Sequence, residues 1–299
     1  MMSGMYAAIS GLEVNQTALN VTANNLSNVN TVGYKSATIA FADSLTQVLR
    51  GATGSGTASG GTNPVQVGLG VQVSSTHNEM NEGAFQPTGN PLDIAIEGTG
   101  FLRVGPGTPP EAAPFTENVP KLIDYTRAGN LETDSNGFLT TAAGQYVVGF
   151  NAVEEAVPGG IAYKPGAEES YLHIPPGSTD VEIGQDGSVN YVDENPASPT
   201  FGQQVTAGYI TLAQFPNEAG LERLGGSLWG ATANSGKPVI GVPGENGLGS
   251  TIGGELEMSN VNLAGEMAAM ITGERGYQSN SRVITTADEM LQSAVSMVQ

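Results

Sequence analysis

Apolar residues recur every seven positions at both ends of the chain. The N-terminal row consists of Met5, Leu12, Leu19 and Leu26, with Ile9 four residues after Met5. The C-terminal row consists of Leu263, Met270, Tyr277, Ile284, Leu291 and Val298. A companion row four residues further on begins at Met267 and ends at Val295, but its middle positions are polar. Rows this narrow predict helices that pack along one seam rather than inside a globular core.

Proline confines such helices to the two ends. All 17 prolines lie between Pro64 and Pro243, and proline disrupts helix interiors. Between these positions the pattern changes to short apolar runs separated by glycine-rich turns, which predicts antiparallel strands. The Asp186-Gly187 pair between two such runs is the clearest hairpin signal. Residues 51–64, rich in Gly, Ser and Thr, predict a flexible linker or extended arm.

These patterns predict an α+β protein with paired N- and C-terminal coiled-coil helices and a central antiparallel all-β domain. The expected organisation is an N-terminal helical region over 1–50, a linker or extended arm over 51–70, a β domain over 71–254 and a C-terminal helix over 255–299. Segment 150–205 is interpreted as a possible small insertion. The C-terminal helix is expected to pair with the N-terminal one.

Composition excludes several classes of function. Cysteine is absent and only two histidines occur, so disulfides, thiol nucleophiles and multi-histidine metal sites are not expected. The net charge is −19, and no two of the ten basic residues are adjacent, so no patch for nucleic acid or anionic lipid is expected. No apolar run approaches the length of a membrane span, and no cleaved signal peptide is visible near the N-terminus.

Each candidate catalytic or metal-binding motif lacks a residue that its chemistry requires. Gly98-Thr-Gly100 lacks the third glycine and the helix of a nucleotide loop. The acidic stretch that begins at Glu132 has Ala143 where a calcium loop needs its bidentate Glu. His77 and His173 have no ligand partners at metal-binding spacing. We therefore expect no enzyme activity, no cofactor and no metal. A β-domain hydrolase or sugar-binding module with helical appendages is kept as a rival hypothesis.

Several blocks of sequence resemble bacterial flagellar rod and hook proteins. Residues 18–35, ALNVTANNLSNVNTVGYK, resemble the N-terminal signature of that family, and residues 89–101, 125–130 and 134–137 continue the likeness. Residues 257–262, EMSNVN, precede the C-terminal helix as they do in the family. The signature positions carried by this likeness are Asn24, Asn25, Asn28, Thr31, Gly33, Tyr34, Lys35, Ser259, Asn260 and Val261.

The resemblance implies a subunit that self-assembles into a helical tube, with terminal helices inside and β domains outside. It implies an extracellular place in the flagellum after export by the flagellar apparatus without a cleaved signal. The implied partners are further copies of the chain, the rod, hook-cap and hook–filament junction proteins, and the export apparatus. Residues 60–70 and 275–282 favour a hook subunit, the flexible joint between motor and filament. A distal rod subunit, a rigid drive shaft, is the alternative.

Overall fold

The structure is a computed structural model that describes residues 2–54, 60–110, 115–117, 119–157, 160–194, 196 and 200–297. The chain forms two compact units. Unit 1 comprises Met1–Val29, Ser36–Glu79 and Val261–Gln299, and unit 2 comprises Asn30–Lys35 and Met80–Asn260. The N- and C-terminal segments therefore belong to one unit although they are far apart in sequence.

Two antiparallel helices form the body of unit 1. Helix α1 spans Met2–Ser27 and helix α2 spans Leu263–Ser296. The Asn262 side chain caps the start of α2 by accepting a hydrogen bond from the Gly265 amide at 3.2 Å. At the end of α1, the Asn28 side chain donates to the Asn24 carbonyl at 2.9 Å, which satisfies one of the free carbonyls of the last turn.

A long two-stranded ribbon completes unit 1. Its strands are β1 (Ala37–Asp43), β2 (Thr46–Arg50), β3 (Val65–Gly68) and β4 (Val71–Asn78), with β1 antiparallel to β4 and β2 antiparallel to β3. Hydrogen bonds from the Ser44 amide to the Gly70 carbonyl (2.9 Å) and from the Leu69 amide to the Leu45 carbonyl (2.8 Å) make the two pairs continuous. A bridge between Thr53 and Thr62 extends the pairing further. The segment 51–70, expected to be a linker or extended arm, therefore contains β3, which pairs with β2.

Unit 2 is built from short strands. They are β5 (Phe85–Pro87), β6 (Ile94–Glu97), β7 (Phe101–Gly105), β8 (Asp124–Thr126), β9 (Leu131–Thr133), β10 (Leu139–Thr141), β11 (Tyr146–Val157), β12 (Gly160–Tyr171), β13 (Thr179–Ile183), β14 (Ser188–Val192), β15 (Gln204–Ile210), β16 (Leu212–Gln214), β17 (Glu222–Gly225), β18 (Leu228–Gly230), β19 (Val239–Gly241), β20 (Ser250–Gly253) and β21 (Glu255–Glu257). A single 3₁₀ turn at Glu218–Gly220 is the one short helix among the described residues of this unit.

One large antiparallel sheet organises these strands. Among the described residues it has thirteen strands, ordered β13-β14-β15-β11-β7-β8-β18-β17 with β9, β10, β12, β16 and β19 attached to that path. Two separate two-stranded sheets, β6–β20 and β5–β21, complete the unit. The α+β class with terminal helices and a central antiparallel sheet is therefore confirmed.

The core of unit 2 comes from alternate positions of these strands. Leu102, Val147, Ile210 and Leu212 are fully buried in its main apolar cluster. A second cluster gathers around Phe101, Phe215 and Trp229. Segment 150–205, interpreted as a possible insertion, supplies β12, β13 and β14 to the large sheet.

Two turns behave as their residues predict. Gly187 has φ +76°, a conformation that glycine adopts without strain, and it joins β13 to β14. The Asp134 carboxylate accepts hydrogen bonds from the amides of Asn136 (2.9 Å) and Phe138 (2.8 Å), so the acidic stretch shapes the turn between β9 and β10.

The boundaries of the terminal segments differ from those expected. Residues 255–257 form β21 rather than the start of the C-terminal helix, which begins eight residues after Glu255, at Leu263. The region 1–50 contains β1 and β2 besides α1. For β21 and for β1 and β2, hydrogen bonds to a strand elsewhere in the sequence determine the structure. A local apolar pattern does not predict these hydrogen bonds.

Candidate functional site

Helices α1 and α2 approach closely because small residues line their seam. A Cβ atom built on Gly11 would lie 2.5 Å from the Asn280 side chain. One built on Gly276 would lie 3.0 Å from the Asn15 side chain, and one on Gly273 3.1 Å from Leu19. Larger side chains at these positions would push the helices apart.

The companion row of α2, four residues after the main apolar row, is mostly exposed. The expected row runs through Met267, Glu274, Ser281, Asp288 and Val295, and of these only Ser281 is half-buried. The buried or half-buried row lies one residue earlier in the heptad, at Gly273, Asn280, Ala287 and Ala294. A search for large apolar residues misses this row, but its seven-residue repeat of small residues is visible in the sequence.

The remaining seam residues divide by exposure. Half-buried positions are Met5, Leu12, Leu19, Leu26, Met270, Ile284 and Leu291. More exposed positions are Ile9, Leu263, Met267, Tyr277 and Val295. Val298 lies outside the described residues. Thus one set of apolar side chains contacts neighbours within unit 1, and another set faces outward.

Asn25 joins three elements of unit 1. Its side-chain amide donates to the Ala37 carbonyl (2.8 Å) and to the Glu266 carboxylate (2.8 Å), and its oxygen accepts from the Ala37 amide (3.0 Å). The side chain thereby pairs with β1 as a neighbouring strand would, and also holds the first turn of α2. This geometry gives a physical reason for an Asn at this signature position.

The ribbon of unit 1 exposes apolar side chains on both faces. Strands β2 and β3 are exposed at every position. The exposed fraction reaches 71% for Leu45 and 61% for Leu49, and Phe41 and Val48 are also exposed. Isolated two-stranded ribbons are marginally stable in water, so this surface is suited to being covered by another chain.

A buried charge cluster lies in unit 2. The Glu257 carboxylate accepts from the Lys35 ammonium at 2.6 Å and from the Arg127 guanidinium at 3.1 Å. The Gly83 amide donates to the same carboxylate at 3.0 Å. None of the three charged side chains is more than 2% exposed. One buried carboxylate therefore pairs with two buried cations.

Backbone carbonyls complete the cluster. Lys35 also donates to the Asn81 carbonyl at 2.8 Å, and Arg127 donates to the carbonyls of Ile96 (3.3 Å) and Gly98 (2.7 Å). Burial, and then the charge of Arg127, lowers the pKa of the Lys35 ammonium below its ordinary value, although Glu257 and Glu82 act in the opposite direction. The cluster is thus a net positive, desolvated site that depends on its single buried carboxylate.

The other signature residues of unit 2 surround this cluster. Gly33 has φ +65°, and a Cβ there would contact the backbone of Arg127 and Ala128, so only glycine fits. The Tyr34 ring lies 4.8 Å from the Arg223 guanidinium, which also donates to the Lys35 carbonyl. Asn260 donates to the Asn81 carbonyl at 3.0 Å.

The signature is therefore split between the units. Asn24, Asn25, Asn28 and Val261 lie in unit 1, and Thr31, Gly33, Tyr34, Lys35, Ser259 and Asn260 lie in unit 2. Sequence reasoning identified Lys35 but not its partner Glu257. A lone Glu in a short strand gives no signal of its own, and only its place as the first residue of the block 257–262 points to it.

The described residues contain no group of three or more His, Asp or Glu side chains placed to hold a metal ion. Within the same residues, no helix combines the length and the apolar character that crossing a membrane requires.

Three family models match the chain. The flagella basal body rod protein model matches residues 5–35, and the model of the flagellar hook protein FlgE/F/G D1 domain matches residues 95–191. The flagellar basal body rod FlgEFG protein C-terminal model matches residues 252–297. The matches cover α1 with its signature, the centre of the large sheet, and the segment from β20 through α2.

Full-length relatives carry rod and hook names. The flagellar basal-body rod protein FlgG of Bacillus subtilis (strain 168) is 37% identical over 300 residues, covering 99% of each chain. FlgG of Caulobacter vibrioides is 36% identical over 295 residues, covering 98% of each. The flagellar hook protein FlgE of Borreliella burgdorferi is 26% identical over 451 residues, covering 99% of each. The chain belongs to the flagellar rod and hook protein family.

Family membership decides several expectations. The chain is a structural protein of the flagellar axis and not an enzyme, and it is a component of the basal body, rod or hook. Within the family, the more similar relatives are named as rod proteins and the hook relative is more distant. The hook interpretation favoured from residues 60–70 and 275–282 therefore gives way to its alternative.

Proposed function

We propose that this chain is a subunit of the distal rod of the flagellar basal body. The observation that carries the proposal is similarity over nearly the whole chain to relatives named basal-body rod protein FlgG. The hook interpretation had relied on a compliant linker at 51–64. That support is weakened because the Thr53–Thr62 bridge and the β2–β3 pairing tie both ends of this segment together.

Assembly into a tube would use the surfaces that unit 1 leaves exposed. We propose that α1 and α2 pair as an antiparallel coiled coil in the assembled tube, a proposal supported by the seven-residue spacing of Met270, Tyr277, Ile284 and Leu291. Outward-facing side chains such as Met267 and Leu45 then contact neighbouring copies, because exposed apolar area is stabilised only by being covered. The β units form the outer wall.

Export through the flagellar apparatus without a cleaved signal, and contacts with other rod and hook components, are part of the same proposal. They are supported by membership of the family, since an axial protein must reach the growing end of its structure.

Electron microscopy of polymers of the purified protein tests the rod assignment. Tubes that stay straight at all salt concentrations and pH values tested support a rod subunit. Tubes that curve, or that become curved when the solvent changes, would return the assignment to the hook.

Substitutions on the outer face of α2 test the assembly surface. Met267→Gln should slow polymerisation, while the melting of the free subunit stays unchanged because Met267 is exposed. Ser279→Ala, an exposed polar position on the same helix, is the matched control and should polymerise normally. Normal assembly of Met267→Gln would remove this face from the proposed contact.

A further inference from the structure

Three segments of unit 2 are bonded to one another around Glu257. We call residues 30–35, 81–87 and 255–260 the closure segments. The Gly33 amide donates to the Glu257 carbonyl at 2.8 Å, and the Met258 amide donates to the Ala84 carbonyl at 2.9 Å. The ladder between β5 and β21 joins the second segment to the third. The three segments therefore form one connected patch.

This patch is built differently from the large sheet. Strands β5 and β21 have three residues each and pair with each other as a separate two-stranded sheet. Polar contacts attach the patch to the rest of the unit, among them Arg127 to Glu257 and the Ser227 hydroxyl to the Val32 carbonyl (3.3 Å). Short strands with polar attachments belong to the parts of a protein that open at low free-energy cost.

Glu257 is the charge on which closure depends. With the patch closed, Lys35 is 1% and Arg127 is 2% exposed, and the buried carboxylate between them is Glu257. Removing that negative charge leaves two cations buried away from water, with the exposed Glu82 as the acidic group that still acts on Lys35, which is strongly unfavourable. Opening the patch would expose the Lys35 ammonium to water, whereas the Arg127 guanidinium would keep its hydrogen bonds to the carbonyls of Ile96 and Gly98.

We propose that the closure segments open and close as a single local folding unit, and that the Glu257 carboxylate holds them closed while the thirteen-stranded sheet remains folded. The chain passes from unit 2 to unit 1 next to these segments, at 29/30, 35/36, 79/80 and 260/261. One carboxylate thus governs how firmly all four chain connections are anchored in unit 2. The proposal concerns the free subunit and does not depend on the rod assignment.

Hydrogen–deuterium exchange of the full-length free protein tests it. In Glu257→Gln, amide exchange should rise by roughly tenfold or more in peptides covering 31–35, 82–87 and 256–260 together. Peptides covering β7, β11 and β15 should exchange at the wild-type rate. Glu255→Gln, two residues away on the same strand, is the matched control and should leave all peptides unchanged.

A charge-balanced double variant makes the test specific. Lys35→Met with Glu257→Gln leaves one buried cation, which is the net charge of the wild-type cluster. This variant should restore slow exchange in all three segments. The proposal is overturned if Glu257→Gln loosens the large sheet as well, if it loosens only one segment or none, or if the double variant fails to restore protection.

Discussion

Unit 2 buries most of its described large apolar side chains, with exceptions such as Leu122, Phe201 and Leu224, and unit 1 leaves many of its own in water. Leu102 and Leu212 in unit 2 are 0% exposed, whereas Leu45 and Val295 in unit 1 are 71% and 63% exposed. Among the described residues of unit 1, the buried apolar ones have small side chains: Ala8, Val14, Ala37 and Ala287. The difference indicates that unit 2 can be stable as a free subunit, whereas unit 1 gains its main apolar contacts only in an assembly.

The largest expected effect comes from matched truncations in the two units. Leu212→Ala should lower the free energy of unfolding of unit 2 by about 2–5 kcal/mol, because it leaves a cavity in a closed core. Ile284→Ala, at a half-buried position of α2 in unit 1, should change the free energy of unfolding of unit 2 by less than about 1 kcal/mol. Urea titration followed by the fluorescence of Trp229, the single tryptophan, measures unit 2 directly. Equal shifts for both variants would contradict the comparison.

The next effect concerns the signature glycine of unit 2. Gly33→Ala should destabilise unit 2 by more than the roughly 1 kcal/mol that a positive φ alone costs, because its Cβ would meet the backbone of Ala128 at 2.5 Å. Gly89→Ala is the control, since Gly89 has φ +72° but no atom within 4 Å of the added carbon. The same urea titration compares them, and equal losses would mean that the close approach at Gly33 is unimportant.

A smaller effect is expected at the helix seam. Gly276→Leu should reduce the helix content of the free subunit, because the added side chain collides with Asn15. Gly4→Leu should raise the helix content, because a Cβ at position 4 has no atom within 4 Å and leucine has a higher helix propensity than glycine. The gain in helix stability should be less than about 1 kcal/mol. Far-ultraviolet circular dichroism distinguishes the two. If both variants gain helix, α1 and α2 are not paired in the free subunit.

The smallest effect is a pH dependence within unit 2. Burial lowers the pKa of His173 below its ordinary value of 6.5, with the Asn136 carbonyl and Asp134 opposing. Between the lowered pKa and 6.5, the unfolded chain binds the proton better than the folded one, so stability falls as pH drops through this window. His173→Gln should flatten that slope in urea titrations. An unchanged slope in His173→Gln would show that this imidazole is protonated equally in both states.

Sequence patterns predicted the α+β class and the turn at Asp186-Gly187, because local chemistry determines those features. They did not identify the buried or half-buried row at Gly273, Asn280 and Ala287, because it consists of small and polar residues. Packing of two helices that are distant in sequence selects that row, and apolar periodicity within one helix does not reveal it.

The candidate site was predicted only in part. Lys35 was identified through the family likeness, but the pairing of the Glu257 carboxylate with both Lys35 and Arg127 arises only in the folded unit. Residues 51–70, which contain β3, were expected as a linker or extended arm because Gly, Ser and Thr suit both loops and exposed hairpins. The pairing of β2 with β3 shows that the segment is part of a hairpin rather than a loop. Amino-acid composition alone does not predict this pairing.

The separation in sequence between paired residues has a kinetic consequence. Lys35 and Glu257 are 222 residues apart, and Asn25 and Glu266 are 241 apart. Closing loops of this size is entropically costly, and folds dominated by such contacts reach their native state slowly. Helix α1 therefore remains unpaired during most of the folding time. Its many Asn, Thr and Ala residues limit the apolar surface that it exposes before pairing. We expect refolding of the β unit to precede helix pairing, with the tryptophan signal recovering before the helical one.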